Sequence, residues 1–161
     1  MTPETFALRL ERSFAAPREQ AFRAFTEPAL RSQWLRPGED WTVSVTELDP
    51  RVGGRYRDVF RSPAGTEYSE SGEFRELVRP KRLVYSCRFE GGGVLEPEML
   101  VSLELHDLGA GKTRLVLEQA GYRSRQNRDE QEQGWPAFLD QLAKTLASGA
   151  RSEAQPSEVQ R

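Results

Sequence analysis

The sequence predicts a single α+β domain, in which a curved antiparallel sheet of seven strands packs against one long C-terminal helix. Three observations predict this class. Apolar and polar residues alternate near the start of the chain and almost continuously over residues 41–119, as is typical of half-buried strands. Two short segments with helical spacing separate the first strand from the others. A single apolar stripe with helical spacing follows the last strand.

The first strand is predicted over residues 6–14, where Phe and Leu alternate with Ala, Arg and Glu. Two short helices are predicted next. Pro17 stands where the first turn of a helix tolerates proline. Pro28 begins the second helical segment, in which Leu30 and Trp34 are four residues apart and lie on one face of the helix.

Six further strands are predicted from the two-residue period, with turn sequences rich in Gly, Pro and Ser between them. One face of each strand is predicted to be buried. The inward register comprises Trp41, Val43, Val45, Tyr56, Asp58, Phe60, Tyr68, Glu70, Gly72, Phe74, Leu83, Tyr85, Cys87, Phe89, Met99, Val101, Leu103, Leu105, Leu115 and Leu117.

The last helix is predicted from an apolar stripe at helical spacing, made of Trp135, Phe138, Leu139, Leu142 and Leu146. Pro136 must open this helix or kink it, because proline lacks a backbone donor. The polar residues 123–133 are either an exposed loop or the outer start of the helix. Residues 148–161 have the composition of a flexible tail, which leaves residues 1–147 as one domain.

Composition excludes several classes of function. One Cys and one His among 161 residues allow neither an internal disulfide nor a structural zinc site, so no metal or cofactor is expected. A net charge of −2 gives no global attraction to nucleic acid. No apolar run approaches the ~20 residues of a membrane span, and the first residues lack a signal-peptide layout. We therefore expect a cytoplasmic protein without membrane insertion.

The single His and the single Cys are not predicted to be catalytic. His106 is out of register with the apolar residues of its strand, so we expect it on the solvent face. Cys87 is in register with aromatic residues and is expected to be a buried thiol that behaves as a small apolar residue. Histidine- or thiol-based catalysis is therefore not expected.

Two carboxylates stand at positions where the strand register predicts the interior. Asp58 lies between Tyr56 and Phe60, and Glu70 lies two residues after Tyr68. A carboxylate that faces a core is costly unless it is paired, hydrogen-bonded or protonated. Either both point inward, as polar anchors for a ligand or as an acid/base pair, or the strands twist there and both reach water.

The chain resembles the START-like (SRPBCC) superfamily, in the branch named after activators of the heat-shock protein 90 ATPase. No single motif carries the resemblance; the order and spacing of several motifs carry it together. They cover about residues 6–147 and comprise FAAPRE at 14–19, TEP at 26–28, QWLRPG at 33–38, DPRVGGRY at 49–56, GEFREL at 72–77, PKRLVY at 80–85 and GKTRL at 111–115. In this branch a second Trp often follows the first, whereas here Leu35 follows Trp34.

The resemblance implies a helix-grip fold with a cavity between the sheet and the C-terminal helix, and a lipid- or polyketide-like ligand. It transfers no reaction. The leading hypothesis is therefore non-enzymatic binding of a hydrophobic small molecule, with two alternatives. One is a cyclase- or hydrolase-type enzyme that uses Asp58 and Glu70. The other is a chaperone-ATPase co-regulator that acts by protein contact. An exposed edge of the sheet would also allow a homodimer.

The residues predicted to contact the ligand are the aromatic and apolar side chains on the inward faces of the sheet and of the last helix. They are Trp34, Trp41, Tyr56, Phe60, Tyr68, Tyr85, Cys87, Phe89, Met99, Trp135, Phe138 and Leu142.

Overall fold

The computed structural model describes residues 4–154, which form eight strands and three helices. In chain order, the elements are β1 (Phe6–Phe14), α1 (Arg18–Thr26), α2 (Pro28–Trp34), β2 (Thr42–Leu48), β3 (Arg55–Arg61), β4 (Glu67–Val78), β5 (Arg82–Gly91), β6 (Val94–Leu95), β7 (Met99–Gly109), β8 (Lys112–Tyr122) and α3 (Arg125–Ala154).

All strand pairs are antiparallel, and the seven long strands follow the order β1-β8-β7-β5-β4-β3-β2. The two-residue β6 pairs only with the end of β5. Strands β2 to β8 form a meander, and β1 pairs with β8 at one edge of the sheet. The predicted α+β class, with seven long strands around a C-terminal helix, is confirmed, and the arrangement is that of a helix-grip fold.

Helix α3 packs against β1, β8 and the two short helices. Leu139, Leu142 and Leu146 of its apolar stripe are buried, so the helical spacing predicted its inner face. The helix begins at Arg125, which makes the polar run its outer start, and Pro136 lies inside it. Of the residues predicted as a tail, 148–154 continue helix α3, whereas residues 155–161 lie outside the described part of the chain.

Helix α2 buries a charged residue together with its tryptophan. Leu30 is only half-buried, whereas Arg31 and Trp34 are buried completely. The Trp34 indole donates a hydrogen bond to the Ala24 carbonyl at 2.7 Å, and its ring meets Phe25 edge-on. Because these contacts lock Trp34 against α1, they place Arg31, one turn earlier, towards the sheet.

The backbones of β4 and β5 approach each other closely at Gly72. A Cβ atom at this position would lie 1.8 Å from the carbonyl oxygen of Ser86, so only glycine fits here. This approach brings the Ser86 carbonyl within 2.8 Å of the Tyr56 hydroxyl on β3. The same contact therefore ties three neighbouring strands together beside the interior carboxyl groups.

Between residues 4 and 154, no helix combines the length and the apolar character that crossing a bilayer requires.

Candidate functional site: a cavity between the sheet and the C-terminal helix

A cavity of about 120 Å³ lies between the inner face of the sheet and helix α3. Its walls are mainly apolar and aromatic, and its polar members are a carboxyl, a phenol and two amides. The lining residues are Leu35, Glu70, Tyr85, Cys87, Phe89, Val101, Gln119, Gln131, Gly134, Trp135 and Phe138. We call this space the inner cavity.

A second space of about 390 Å³ adjoins the inner cavity and opens more widely towards solvent. Phe89 and Gln131 line both spaces. The other lining residues of this outer cavity are Tyr68, Glu90, Gly91, Gly92, Glu96, Met99 and Asn127. The site therefore has a small apolar interior and a wider, more polar entrance.

Seven of the twelve side chains predicted to bind a ligand line one of the two cavities. The inner cavity brings together Tyr85, Cys87, Phe89, Trp135 and Phe138, and the outer cavity adds Tyr68 and Met99.

The other five predicted residues line neither cavity. Trp34, Tyr56, Phe60 and Leu142 are buried in the packed core. Trp41 is half-buried beside Tyr68, with ring centroids 5.7 Å apart. The strand and helix registers predicted that most of these side chains point inward, but whether an inward side chain meets a neighbour or a gap depends on the packing around it.

Five residues that line the inner cavity were not among the predicted ligand contacts or polar anchors: Leu35, Val101, Gln119, Gln131 and Gly134. The register signal could have found Val101, which is in the inward set, and Gln119, which is two residues after Leu117. Extending the helical period of the apolar stripe back one turn from Trp135 reaches Gln131, whereas no periodic signal marks Leu35 just after α2.

Gln119 is a buried amide that connects α3 to the sheet. Its Oε1 accepts a hydrogen bond from the Trp135 indole at 2.9 Å. Its Nε2 points to two sulfur atoms, at 3.5 Å from Cys87 Sγ and 3.8 Å from Met99 Sδ. Since sulfur is a weak acceptor, this amide retains donor capacity at the wall of the inner cavity.

Asp58 points inward, as the register predicted, but it is bound to Arg31 and does not line the inner cavity. Arg31 Nη2 and Nε donate to the two carboxylate oxygens at 2.8 and 3.0 Å, and Nη1 donates to the Phe25 carbonyl at 3.1 Å. Burial is the largest single influence on the pKa of the Arg31 guanidinium and would lower it, but attraction to Asp58, the hydrogen bonds with Asp58 and attraction to Glu70 together raise it. The pair is thus a buried ion pair, and Asp58 has no open face towards a ligand there.

Glu70 also points inward and is the one carboxyl group among the described residues that line the inner cavity. Its Oε2 lies 2.7 Å from the Tyr56 hydroxyl and 3.8 Å from Arg31 Nη2. Burial and repulsion from Asp58 raise the pKa of Glu70 to about 7, against the opposing effects of Arg31 and Tyr56. The two carboxyl groups are cross-strand partners, yet they have different environments and only one faces the cavity.

The remaining candidate groups have little catalytic character. Burial, with the charge of Glu70, raises the pKa of the Cys87 thiol, which keeps it protonated and weakly nucleophilic. His106 is exposed on the outer face of β7, as expected. The part of the chain that the structure describes contains no cluster of His, Cys, Asp and Glu that could hold a metal ion.

A sheet that curves around one long helix and encloses an apolar cavity defines a helix-grip protein of the START-like class. A family model described as Activator of Hsp90 ATPase homolog 1-like protein matches residues 15–147, and the chain belongs to this family. Members of the family typically bind hydrophobic ligands. No curated protein matches the chain.

Several solved structures are similar to the whole domain. A protein from Chromobacterium violaceum is 34% identical, with a TM-score of 0.78, over 87% of this chain and 96% of that one. An AHSA1 protein from Silicibacter pomeroyi is 26% identical, with a TM-score of 0.78, over 89% and 99% of the two chains. A protein from Nitrosomonas europaea is 28% identical, with a TM-score of 0.72, over 90% and 96%.

Proposed function

We propose that the protein binds a hydrophobic small molecule in the inner cavity and catalyses no reaction on it. The observation that carries this proposal is a gap in an otherwise packed core. Aromatic, aliphatic and sulfur-containing side chains surround the gap, with one carboxyl group at its wall. Concave apolar sites with a few polar groups are typical of small-molecule sites.

The size of the inner cavity limits the part of a ligand that it can hold. A cavity of roughly 150 Å³ in another protein binds benzene, so about 120 Å³ suits one ring or a short branched chain. A longer lipid- or polyketide-like ligand would extend past Phe89 and Gln131 into the outer cavity. Each Å² of apolar ligand surface that is buried contributes ~25 cal/mol before the costs of ordering.

The chemistry of the wall supports binding without catalysis. The cyclase- or hydrolase-type alternative uses Asp58 and Glu70 as a pair in one site, but Asp58 is held by Arg31 away from the inner cavity. The thiol of Cys87 is kept protonated by burial. The groups that remain, Glu70 and the Gln119 amide, are suited to orienting a polar substituent.

The proposal is tested by filling the cavity from its wall. In Val101→Phe the added ring would occupy the inner cavity, because Val101 is 1% exposed and lines it. We expect apolar single-ring compounds such as toluene to raise the thermal unfolding temperature of the wild-type protein and to bind Val101→Phe at least tenfold more weakly by calorimetry.

Val59→Phe is the matched control, because Val59 lies half-buried in a groove on the outer face of the sheet. It should bind the same compounds as the wild-type protein does. Circular dichroism checks that both variants fold, and Cys87→Met serves as a second filling variant. Equal affinity of the filled and wild-type proteins, or no binding to the wild-type protein by any apolar compound, would refute the proposal.

A further inference from the structure

We infer that the inner cavity selects a single-ring aromatic molecule that carries a hydrogen-bond donor, such as a phenol hydroxyl or an aryl N–H, and that Oε1 of a neutral Glu70 carboxyl accepts that hydrogen bond. This inference rests on the proposed function and adds the chemical class of the ligand. It follows from counting the protons and acceptors around Tyr56.

The Tyr56 hydroxyl lies between two oxygen atoms that both require a hydrogen. It is 2.8 Å from the carbonyl oxygen of Ser86 and 2.7 Å from Oε2 of Glu70. A phenol has one proton to donate, and the Ser86 carbonyl can only accept. Both contacts are full hydrogen bonds only when Tyr56 donates to Ser86 and Glu70 donates from Oε2 to Tyr56. The geometry therefore places a proton on Glu70 Oε2.

The surroundings of Glu70 agree with a neutral carboxyl. Glu70 is 6% exposed, and its cross-strand neighbour Asp58 already takes up the positive charge of Arg31. The guanidinium reaches Glu70 only at 3.8 Å, which is beyond hydrogen-bond distance. A pKa raised to about 7 by burial and by the nearby Asp58 is consistent with the same protonation state.

With Oε2 engaged, Oε1 is the carboxyl oxygen that remains for a ligand. Within residues 4–154 this atom accepts no hydrogen bond, and Glu70 lines the inner cavity. An oxygen of a protonated carboxyl that does not carry the proton is an acceptor. A ligand that brings a donor therefore gains a hydrogen bond here, whereas a ligand that presents an acceptor or an anion to Oε1 leaves two acceptors facing each other.

The remaining walls favour an aromatic ring behind that donor. Tyr85, Phe89, Trp135 and Phe138 line the same space as Glu70, and a volume of about 120 Å³ suits one ring. The sulfur of Cys87 adds a polarizable contact, which is favourable beside an aromatic edge. The shape of the cavity and the unengaged acceptor of Glu70 thus favour a phenol-like molecule.

The test compares four probes of similar size, namely phenol, anisole, toluene and benzoate, by calorimetry on the full chain at pH 6. For the wild-type protein we expect phenol to bind at least tenfold more tightly than anisole or toluene, and benzoate to bind most weakly. Glu70→Gln should retain most of this preference for phenol, because the glutamine amide can donate to Tyr56 and present an oxygen to the cavity. Glu70→Met should reduce the ratio of phenol to anisole affinity to about one.

Glu118→Met, which removes an exposed carboxylate from β8, is the matched control and should keep the tenfold ratio. If toluene binds the wild-type protein and phenol binds no more tightly than toluene, the inference is wrong while the proposed function stands. The same holds if Glu70→Met keeps the preference for phenol. If none of the four probes binds the wild-type protein, both fail. Circular dichroism verifies that each variant is folded.

Discussion

Arg31 is the positive charge around which the interior carboxyl groups are arranged. It is 1% exposed, donates to both oxygens of Asp58, and lies with Cζ 4.9 Å from the centre of the Tyr56 ring. Its attraction also reaches Glu70 and opposes the effect of burial there. A single residue of α2 thereby pairs with the carboxylate of β3 and acts on the carboxyl group of β4.

Arg31→Met should destabilise the fold strongly. Asp58 is 0% exposed, and removing one partner of a buried ion pair costs about 3–5 kcal/mol, because the other charge stays buried and unpaired. Urea unfolding of Arg31→Met, Asp58→Val and the double variant measures the coupling. We expect the double variant to lose clearly less free energy of unfolding than the sum of the losses in the two single variants. Strictly additive losses would show that the pair does not act as a unit.

Glu70 should make the stability depend on pH in a defined direction. Its pKa is about 7 in the folded protein and 4.5 ordinarily, so between these values the folded chain holds a proton that the unfolded chain has released. Stability is therefore lost as the pH rises through this window, by about 2–3 kcal/mol between pH 5 and pH 8. Above the folded pKa the loss is complete.

Glu70→Gln is the variant that isolates this effect, because it keeps the shape and removes the titration. In urea unfolding at pH 5, 6, 7 and 8, the free energy of unfolding of Glu70→Gln relative to that of the wild-type protein should increase by about 2–3 kcal/mol as the pH rises. Other titrating groups cancel in the difference. Parallel pH profiles of the two proteins would contradict the raised pKa of Glu70.

At the scale of elements, α3 is connected to the sheet through the cavity wall as well as through its leucine stripe. The Trp135 indole donates to Gln119, and the Trp135 and Phe138 rings pack with their centroids 5.8 Å apart. One residue further on, Pro136 cannot donate to the carbonyl of Glu132, so the helix is locally weakened where it covers the cavity. The Gln119 contact compensates for this weakness by fixing the same turn to β8.

Trp135→Phe tests this connection. It keeps an aromatic ring but removes the donor, which leaves Oε1 of the 1% exposed Gln119 without its hydrogen bond. Such a loss costs about 1–3 kcal/mol, measurable by urea unfolding. Trp41→Phe is the control, since within the described residues the Trp41 indole donates no hydrogen bond, and it should cost less. Equal losses in the two variants would mean that the hydrogen bond to Gln119 adds nothing.

The order of the helices and strands could be predicted from the sequence, but the buried face of the short helix α2 could not. A two-residue period identifies the strands, and a long apolar stripe identifies α3. Both patterns are clear because many positions repeat them. Helix α2 spans seven residues, about two turns, so Leu30 and Arg31 compete for the buried face with too few repeats to decide. The contacts of Trp34 with Ala24 and Phe25 decide it in favour of Arg31.

At the scale of the whole molecule, the site exists because elements distant in sequence meet around a gap. Leu35 follows α2, Glu70 is on β4, Val101 is on β7 and Trp135 is on α3. The family match over residues 15–147 and the similar solved structures place this arrangement in a known fold. Which ligand enters is decided by the few polar atoms at the wall.

Three properties follow from the amino-acid pattern alone: the class of fold, the order of the elements, and the inward register of Asp58, Glu70 and most of the aromatic residues. These follow from periodicity, because a two-residue or 3.6-residue period assigns each side chain to a face whatever the rest of the chain does. Other features arise when the elements pack together. Arg31 then neutralises Asp58, Glu70 alone of the two carboxyl groups faces the inner cavity, and Tyr56 is in the core whereas Tyr85 lines the cavity. Charge pairing and unfilled volume depend on distances between separate elements, and no local period encodes those distances.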